Sequence, residues 1–218
     1  MKRRIFEACV LLVLTAVLLG CRKNEGASSS AETKANASAA VRQDEMPTIW
    51  VYAFGKVSGE LQRAMMDSLR AHYPRCRFAG HLSLPDEALT SRRKDHKRYR
   101  ADLLNRILVA HKTKDNLVIG LTQADIGLDN FRGRPHSGIM GLARGVGAGV
   151  AVFSSYRPRG HAQLFSVMLH ELGHAQGLRH CPDAGCLMQN ANGGNPFSKT
   201  SVFCENCRLH MEARHWRF

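Results

Sequence analysis

No stretch of this 218-residue sequence is apolar for long enough to cross a bilayer with ease. The longest such run, Ala8 to Leu19, falls short of the roughly 20 residues a membrane helix needs. Lys2, Arg3 and Arg4 precede it, so it reads as an export signal. Acidic residues are scarce: 18 Asp and Glu face 31 Lys and Arg, a formal charge of +13. That balance points to nucleic acid, anionic lipid or acidic substrates and says nothing about fold. No aromatic ladder accompanies the run Arg92-Arg93-Lys94-Asp95-His96-Lys97-Arg98, which therefore reads as a solvated loop and not a groove for single strands. No Lys-Ser or Lys-Thr follows the glycines of Gly145-Val146-Gly147-Ala148-Gly149, which leaves a turn and excludes a phosphate loop. There is no internal repeat, and 44% hydrophobic residues exclude a disordered chain.

The apolar run ends in Leu18-Leu19-Gly20-Cys21, which resembles the bacterial lipoprotein box, where cleavage precedes an acylated cysteine. Residues 1–20 are then a signal peptide; an ordinary signal or an uncleaved anchor is the alternative. Acyl chains on Cys21 would hold the protein to the membrane, each buried CH₂ contributing ~0.8 kcal/mol. Residues 21–46 have almost nothing to bury and form a flexible tether, reaching roughly 25–30 Å. The signal carries three basic and one acidic residue and the tether four of each, so residues 47–218 keep 24 basic and 13 acidic, a surplus of +11. The expected location is the bacterial cell envelope. Arg22, where an aspartate would resemble an inner-membrane retention signal, tilts the choice of membrane to the outer one. A nucleic-acid partner is not expected there.

Residues 47–218 suffice for one core. Thr48 to Phe54 reads as a strand, and Leu61, Ala64, Met65, Leu69 and His72 follow at helical spacing until Pro74. Arg77 to Leu84 predicts a second strand, Tyr99 to Leu108 a second helix and Leu117 to Ile119 another strand. Ile139 to Ala143 and Val150 to Ser154 predict two more strands around the glycine turn, before a helix from about His161 to Leu178. Strands alternating with helices imply an α/β fold with a mixed, mostly parallel sheet packed by helices.

The decisive stretch is His170-Glu171-Leu172-Gly173-His174-Ala175-Gln176-Gly177-Leu178-Arg179-His180. On a helix, His170 and His174 lie one turn apart on one face, so both imidazoles can meet one metal ion. Glu171 can then reach a water in the site as general base. Gly177 can end the helix in a left-handed conformation and turn the chain back, so that His180 supplies a third nitrogen. Three nitrogens leave a fourth position open, the mark of a catalytic site rather than a closed structural one. The competing reading is a core helix that happens to carry histidines.

This pattern resembles the metzincin metallopeptidases. Cys181 directly after His180, then Cys186-Leu187-Met188 and Cys204-Glu205-Asn206-Cys207, narrow the resemblance to the archaemetzincins. It implies a metzincin-like zincin domain whose active-site helix is followed by a Cys-rich C-terminal subdomain. It also implies two zinc ions: one catalytic, on His170, His174 and His180, and one structural, on Cys181, Cys186, Cys204 and Cys207. Met188 would form the Met-turn beneath the catalytic ion, and Ile139 to Ala143 reads either as the edge strand that takes up substrate or as an ordinary strand. Four thiolates in two close pairs suit a tetrahedral ion, yet in an oxidising compartment the same cysteines could form two disulfides. Cys76 reads as a small buried residue and His161 as a surface histidine.

The reading is a monomeric, membrane-tethered zinc metallopeptidase acting on peptides or proteins, with Glu171 as general base and Cys21 lipidated. The alternative is a zinc-binding lipoprotein that scaffolds through its basic face without catalysis, with salt-sensitive binding.

Overall fold

A computed structural model describes residues 46–90, 97–128, 137–192 and 194–218. The signal, Cys21, the tether up to residue 45 and residues 91–96 of the basic run lie outside the described residues.

The chain opens on β1 (Thr48–Phe54), followed by α1 (Gly59–His72) and β2 (Cys76–Leu82). Ser58 caps α1 by accepting the Leu61 N–H at 3.2 Å, Glu60 lies in its first turn, and Pro74 follows its end. Next come β3 (Arg98–Arg100), α2 (Ala101–Val109), β4 (Asn116–Thr122) and β5 (Asp125–Leu128). Three strands follow: β6 (Ser137–Ile139), β7 (Gly141–Ala143) and β8 (Val150–Ser154). The chain then forms α3 (His161–Ala175) and, near its end, α4 (Glu205–Glu212).

The main sheet has the order β2-β1-β4-β8-β7. Its first three ladders are parallel, and β7 lies antiparallel to β8 at the edge. Both faces of the central strands are covered, as a parallel sheet requires. Alternation divides the core in two. Leu117, Ile119, Leu121, Ala151 and Phe153 face α1 and α3, while Val118, Val150 and Val152 face Leu104 and Leu108 of α2. A small sheet, β3-β5-β6, lies beside it.

Three expectations need correction. Tyr99 is not helical: it pairs with Ile126 in β3, and the helix starts at Ala101. Ile139 to Ala143 is not one strand, because the chain changes sheets at Met140, β6 pairing with β5 and β7 with β8. The long helix stops at Ala175, three residues before Leu178, since Gly177 (φ +106°) cannot continue it. Neither β5 nor α4 was predicted.

A buried ion cluster joins the small sheet to the loop entering α3. The Asp125 carboxylate is fully buried and accepts from Arg98 Nε at 2.6 Å and from Arg157 Nε and Nη2 at 2.7 and 2.9 Å. Such a pair is retained only where both partners are well hydrogen-bonded. At the other end, Trp216 packs on Tyr73 (ring centroids 5.1 Å), whose hydroxyl donates to the Pro47 carbonyl at 2.6 Å. The Arg217 N–H bonds the His72 carbonyl at 2.9 Å, so the C-terminus is fastened to α1.

Candidate metal centres

Helix α3 carries His170, Glu171 and His174, and the turn after it delivers His180. The helix ends in a doubled cap: Gly177 N–H reaches the His174 carbonyl at 3.0 Å and Leu178 N–H the Gly173 carbonyl at 2.9 Å. The glycine turn between β7 and β8 adds Gly147 N–H to His174 O (2.8 Å) and Gly149 N–H to Ala175 O (2.9 Å). That turn, featureless in sequence, thus fixes the end of the histidine-bearing helix.

One ring nitrogen from each of His170, His174 and His180 falls within 4.8 Å of the others. His170 Nδ1 donates to the Leu187 carbonyl and His174 Nδ1 to the Leu178 carbonyl, both at 2.8 Å. A carbonyl only accepts, so each proton sits on Nδ1 and each Nε2 presents a lone pair. The two Nε2 atoms are 3.1 Å apart, where two lone pairs repel unless a cation lies between them. Burial pushes the His170 pKa down to about 4, and burial also lowers that of His174, so both rings are neutral near pH 7. Neutral nitrogen donors converging on one point fit zinc.

Glu171, next to His170 on α3, is buried. Its Oε2 accepts the Ala143 N–H at 2.6 Å, and burial raises its pKa to about 7 against that bond. The β7 backbone comes so close that a Cβ on Gly141 would lie 2.6 Å from Glu171 Cγ. From the other side, Asn105 of α2 donates to the Leu142 carbonyl at 2.9 Å. Met188 is fully buried beneath the helix, and a Cβ on Gly173 would lie 2.6 Å from its Sδ. Phe197, which carried no signal in the sequence, packs edge-on against His170 (centroids 5.1 Å).

The Cys181, Cys186, Cys204 and Cys207 sulfurs also lie within 4.8 Å of one another. All four are free, and Cys181 and Cys204 Sγ stand 3.8 Å apart, well beyond a disulfide bond. The N–H groups of Met188 (3.4 Å) and Cys204 (3.3 Å) point at Cys186 Sγ. Cys204 caps α4, and the Cys207 N–H holds its thiol pKa below the usual range. Four thiols with such donors fit a closed tetrahedral site. Cys76 is buried apart from this cluster, and burial pushes its pKa up to about 12. His161 is at the surface, its Nε2 3.2 Å from both Ser68 Oγ and the Ala64 carbonyl.

The structure therefore assembles two groups from the residues singled out in the sequence, and the Leu187-Met188 dipeptide joins them. What sequence reading missed is mostly main chain: the Leu187, Leu178 and Ala143 backbone groups that aim the histidines and Glu171.

Residues 99–213 match the model of peptidase family M54. The archaemetzincin of Pyrococcus abyssi is 28% identical over 188 residues, spanning 77% of this chain and 95% of that protein. The archaemetzincin of Nanoarchaeum equitans is 33% identical over 103 residues, 45% of this chain and 54% of its own length. Among solved structures, the archaemetzincin of Methanopyrus kandleri superposes with a TM-score of 0.62 at 22% identity, covering 78% of this chain and 96% of that one. The zinc-dependent peptidase of Methanocorpusculum labreanum gives 0.55 at 20% identity, covering 75% and 99%. At such identities the superpositions speak for the fold alone.

Proposed function

Because the chain belongs to peptidase family M54 and is a zinc-dependent metallopeptidase, we propose that His170, His174 and His180 hold the catalytic zinc and that Glu171 moves the protons of peptide hydrolysis. When bound, zinc supplies a Lewis acid for the scissile carbonyl and brings the pKa of a water to about 7. The protein does the rest. The Leu187 and Leu178 carbonyls keep the His170 and His174 rings in the tautomer that offers Nε2. Glu171 takes a proton from the attacking water and hands it to the departing amine, so that the peptide C–N bond breaks without leaving an amide anion.

Strand β7 offers the substrate a place. Arg144 N–H and the Met140 carbonyl turn inward to β8, so the Gly141 N–H and carbonyl and the Ala143 carbonyl face the open edge, while Glu171 holds the Ala143 N–H. A peptide or protein segment can add there as a further strand. The observation that carries this reading is the convergence of three imidazoles, two of them on the helix that also bears the buried Glu171. A chain kept only as a scaffold has no need of that carboxylate. Glu171→Ala is expected to keep its zinc and lose hydrolysis; undiminished turnover would overturn the assignment.

We assign Cys181, Cys186, Cys204 and Cys207 to a second, structural zinc, a reading supported by four free sulfurs in one cluster. Metal counting should find two zincs, and one in Cys204→Ser; one in both would favour disulfides. The chain as a whole is proposed to be a monomeric lipoprotein of the bacterial cell envelope, anchored through acylated Cys21 and the tether of residues 21–46.

A further inference from the structure

An open cavity of about 510 Å³ lies where α3 ends. Its walls are Pro47, residues 112 and 114–117, Gly147 and Gly149, residues 175–177 and residues 213–215. Its charge is one-sided, with Lys112, Lys114 and Arg214 against a single carboxylate, Asp115. Elsewhere in the fold, Arg98, Arg100, Arg157 and Arg208 each hold a carboxylate. The cavity cations do not. Lys112 donates to the Thr113 and Lys114 carbonyls and Arg214 to the His210 carbonyl, and among the described residues none of the three pairs with an acid.

Two further observations fall on the same wall. Gln176 lines the cavity, while its Nε2 is enclosed by the protein and has no acceptor. His215 sits at φ +70°, in the left-handed position that closes α4 and that glycine usually fills. Strain of this kind is retained where the side chain is needed, and here it sets an imidazole on the cavity wall.

We propose that this cavity binds a phosphoryl anion, with Lys114 and Arg214 as its charge partners. A phosphoryl group has enough acceptor oxygens for an ammonium and a guanidinium together, and its charge matches more than one cation. The volume exceeds that of inorganic phosphate, so the natural ligand carries an organic substituent, whether a soluble phosphate ester or a lipid headgroup. The site is separate from the zinc centre but shares its scaffolding, because Gln176 and Gly177 link His174 to His180.

The test is calorimetric titration of inorganic phosphate into the zinc-loaded full chain. Binding is expected, falling with added salt and weakening by about tenfold or more in Lys114→Ala/Arg214→Ala, as loss of charge-assisted bonds requires. His180→Ala should leave it unchanged. Unaltered peptide hydrolysis in phosphate-free buffer verifies that the double variant is folded. Binding lost in His180→Ala and kept in the double variant would place the anion on the zinc and overturn the proposal. So would an absence of binding, or acetate binding as tightly as phosphate. Capture of phosphatidylcholine vesicles only when they contain phosphatidic acid, abolished in the double variant, would identify the source as a headgroup. Phosphate binding without such capture would identify a soluble ester.

Discussion

The histidine and cysteine clusters are built by opposite means. His170 and His174 ride on one helix, so their spacing follows from helix geometry, and carbonyl partners fix both rings. The helix itself takes shape without an ion. The cysteines come from two ends of a segment, residues 181–207, whose regular structure before α4, among the described residues, is the short turn Pro196–Ser198. Between those ends, main-chain bonds include Cys181 N–H to Met188 O (2.9 Å) and Leu187 N–H to Val202 O (2.7 Å). Here a metal is expected to supply folding energy, as in small zinc domains. The dependence runs one way: the cysteine segment provides the Leu187 carbonyl that aims His170, while α3 asks nothing of the cysteines to remain a helix.

The largest effect should come from removing one member of each cluster in turn. Cys207→Ser is expected to loosen residues 181–207, seen as new proteolytic cuts there and as weaker zinc binding at the histidines. His180→Ala should leave the melting curve nearly unmoved while hydrolysis falls on the order of a thousandfold, equivalent to several kcal/mol of transition-state stabilisation. New proteolytic cuts in His180→Ala and none in Cys207→Ser would invert the comparison. Next in size is Gly173→Ala, whose methyl would meet the buried Met188 sulfur. It should cost about 1–3 kcal/mol in urea unfolding, the usual cost of overpacking, and a neutral result would mean that Met188 yields freely. The smallest effect concerns Cys76. Chelation should expose the cluster thiols to iodoacetamide at neutral pH while Cys76 stays unlabelled, because burial raises its pKa to about 12. The raised pKa means that the neutral thiol stabilises the fold fully below about pH 9, a contribution lost as pH climbs towards about 12. Equal labelling of Cys76 and the four cluster cysteines in the native protein would contradict it.

The histidine site was legible in sequence because one turn of helix sets a fixed spacing and Gly177 marks where the turn must come. The cysteines were legible as a group but not as a bonding state, since thiols at those spacings serve zinc or disulfides equally well. Strand β7 was read with its neighbour β6 because Ile139 to Ala143 carries no break in hydrophobicity; the change of sheet at Met140 is decided by which strand lies alongside. Helix α4 escaped notice because Glu-Asn-Cys-Arg-Leu-His-Met-Glu shows no apolar stripe, and it is held by burial of Cys207 and Met211. The cationic cavity could not be read at all, because only folding brings Lys112 and Lys114 to Arg214.

The entry of the chain into the domain has a mechanical consequence. The residues before Met46 lead into β1, which is paired along its length with β4 on one side and with β2 on the other. A pull on that leader acts along the strand, so it must shear two parallel ladders together instead of unzipping them rung by rung. The Tyr73 hydroxyl on Pro47 and the burial of Met46 take the first of the load. Under the proposed anchoring the domain would be moored by the middle of its sheet, with β7 and the histidine cluster outside the line of tension.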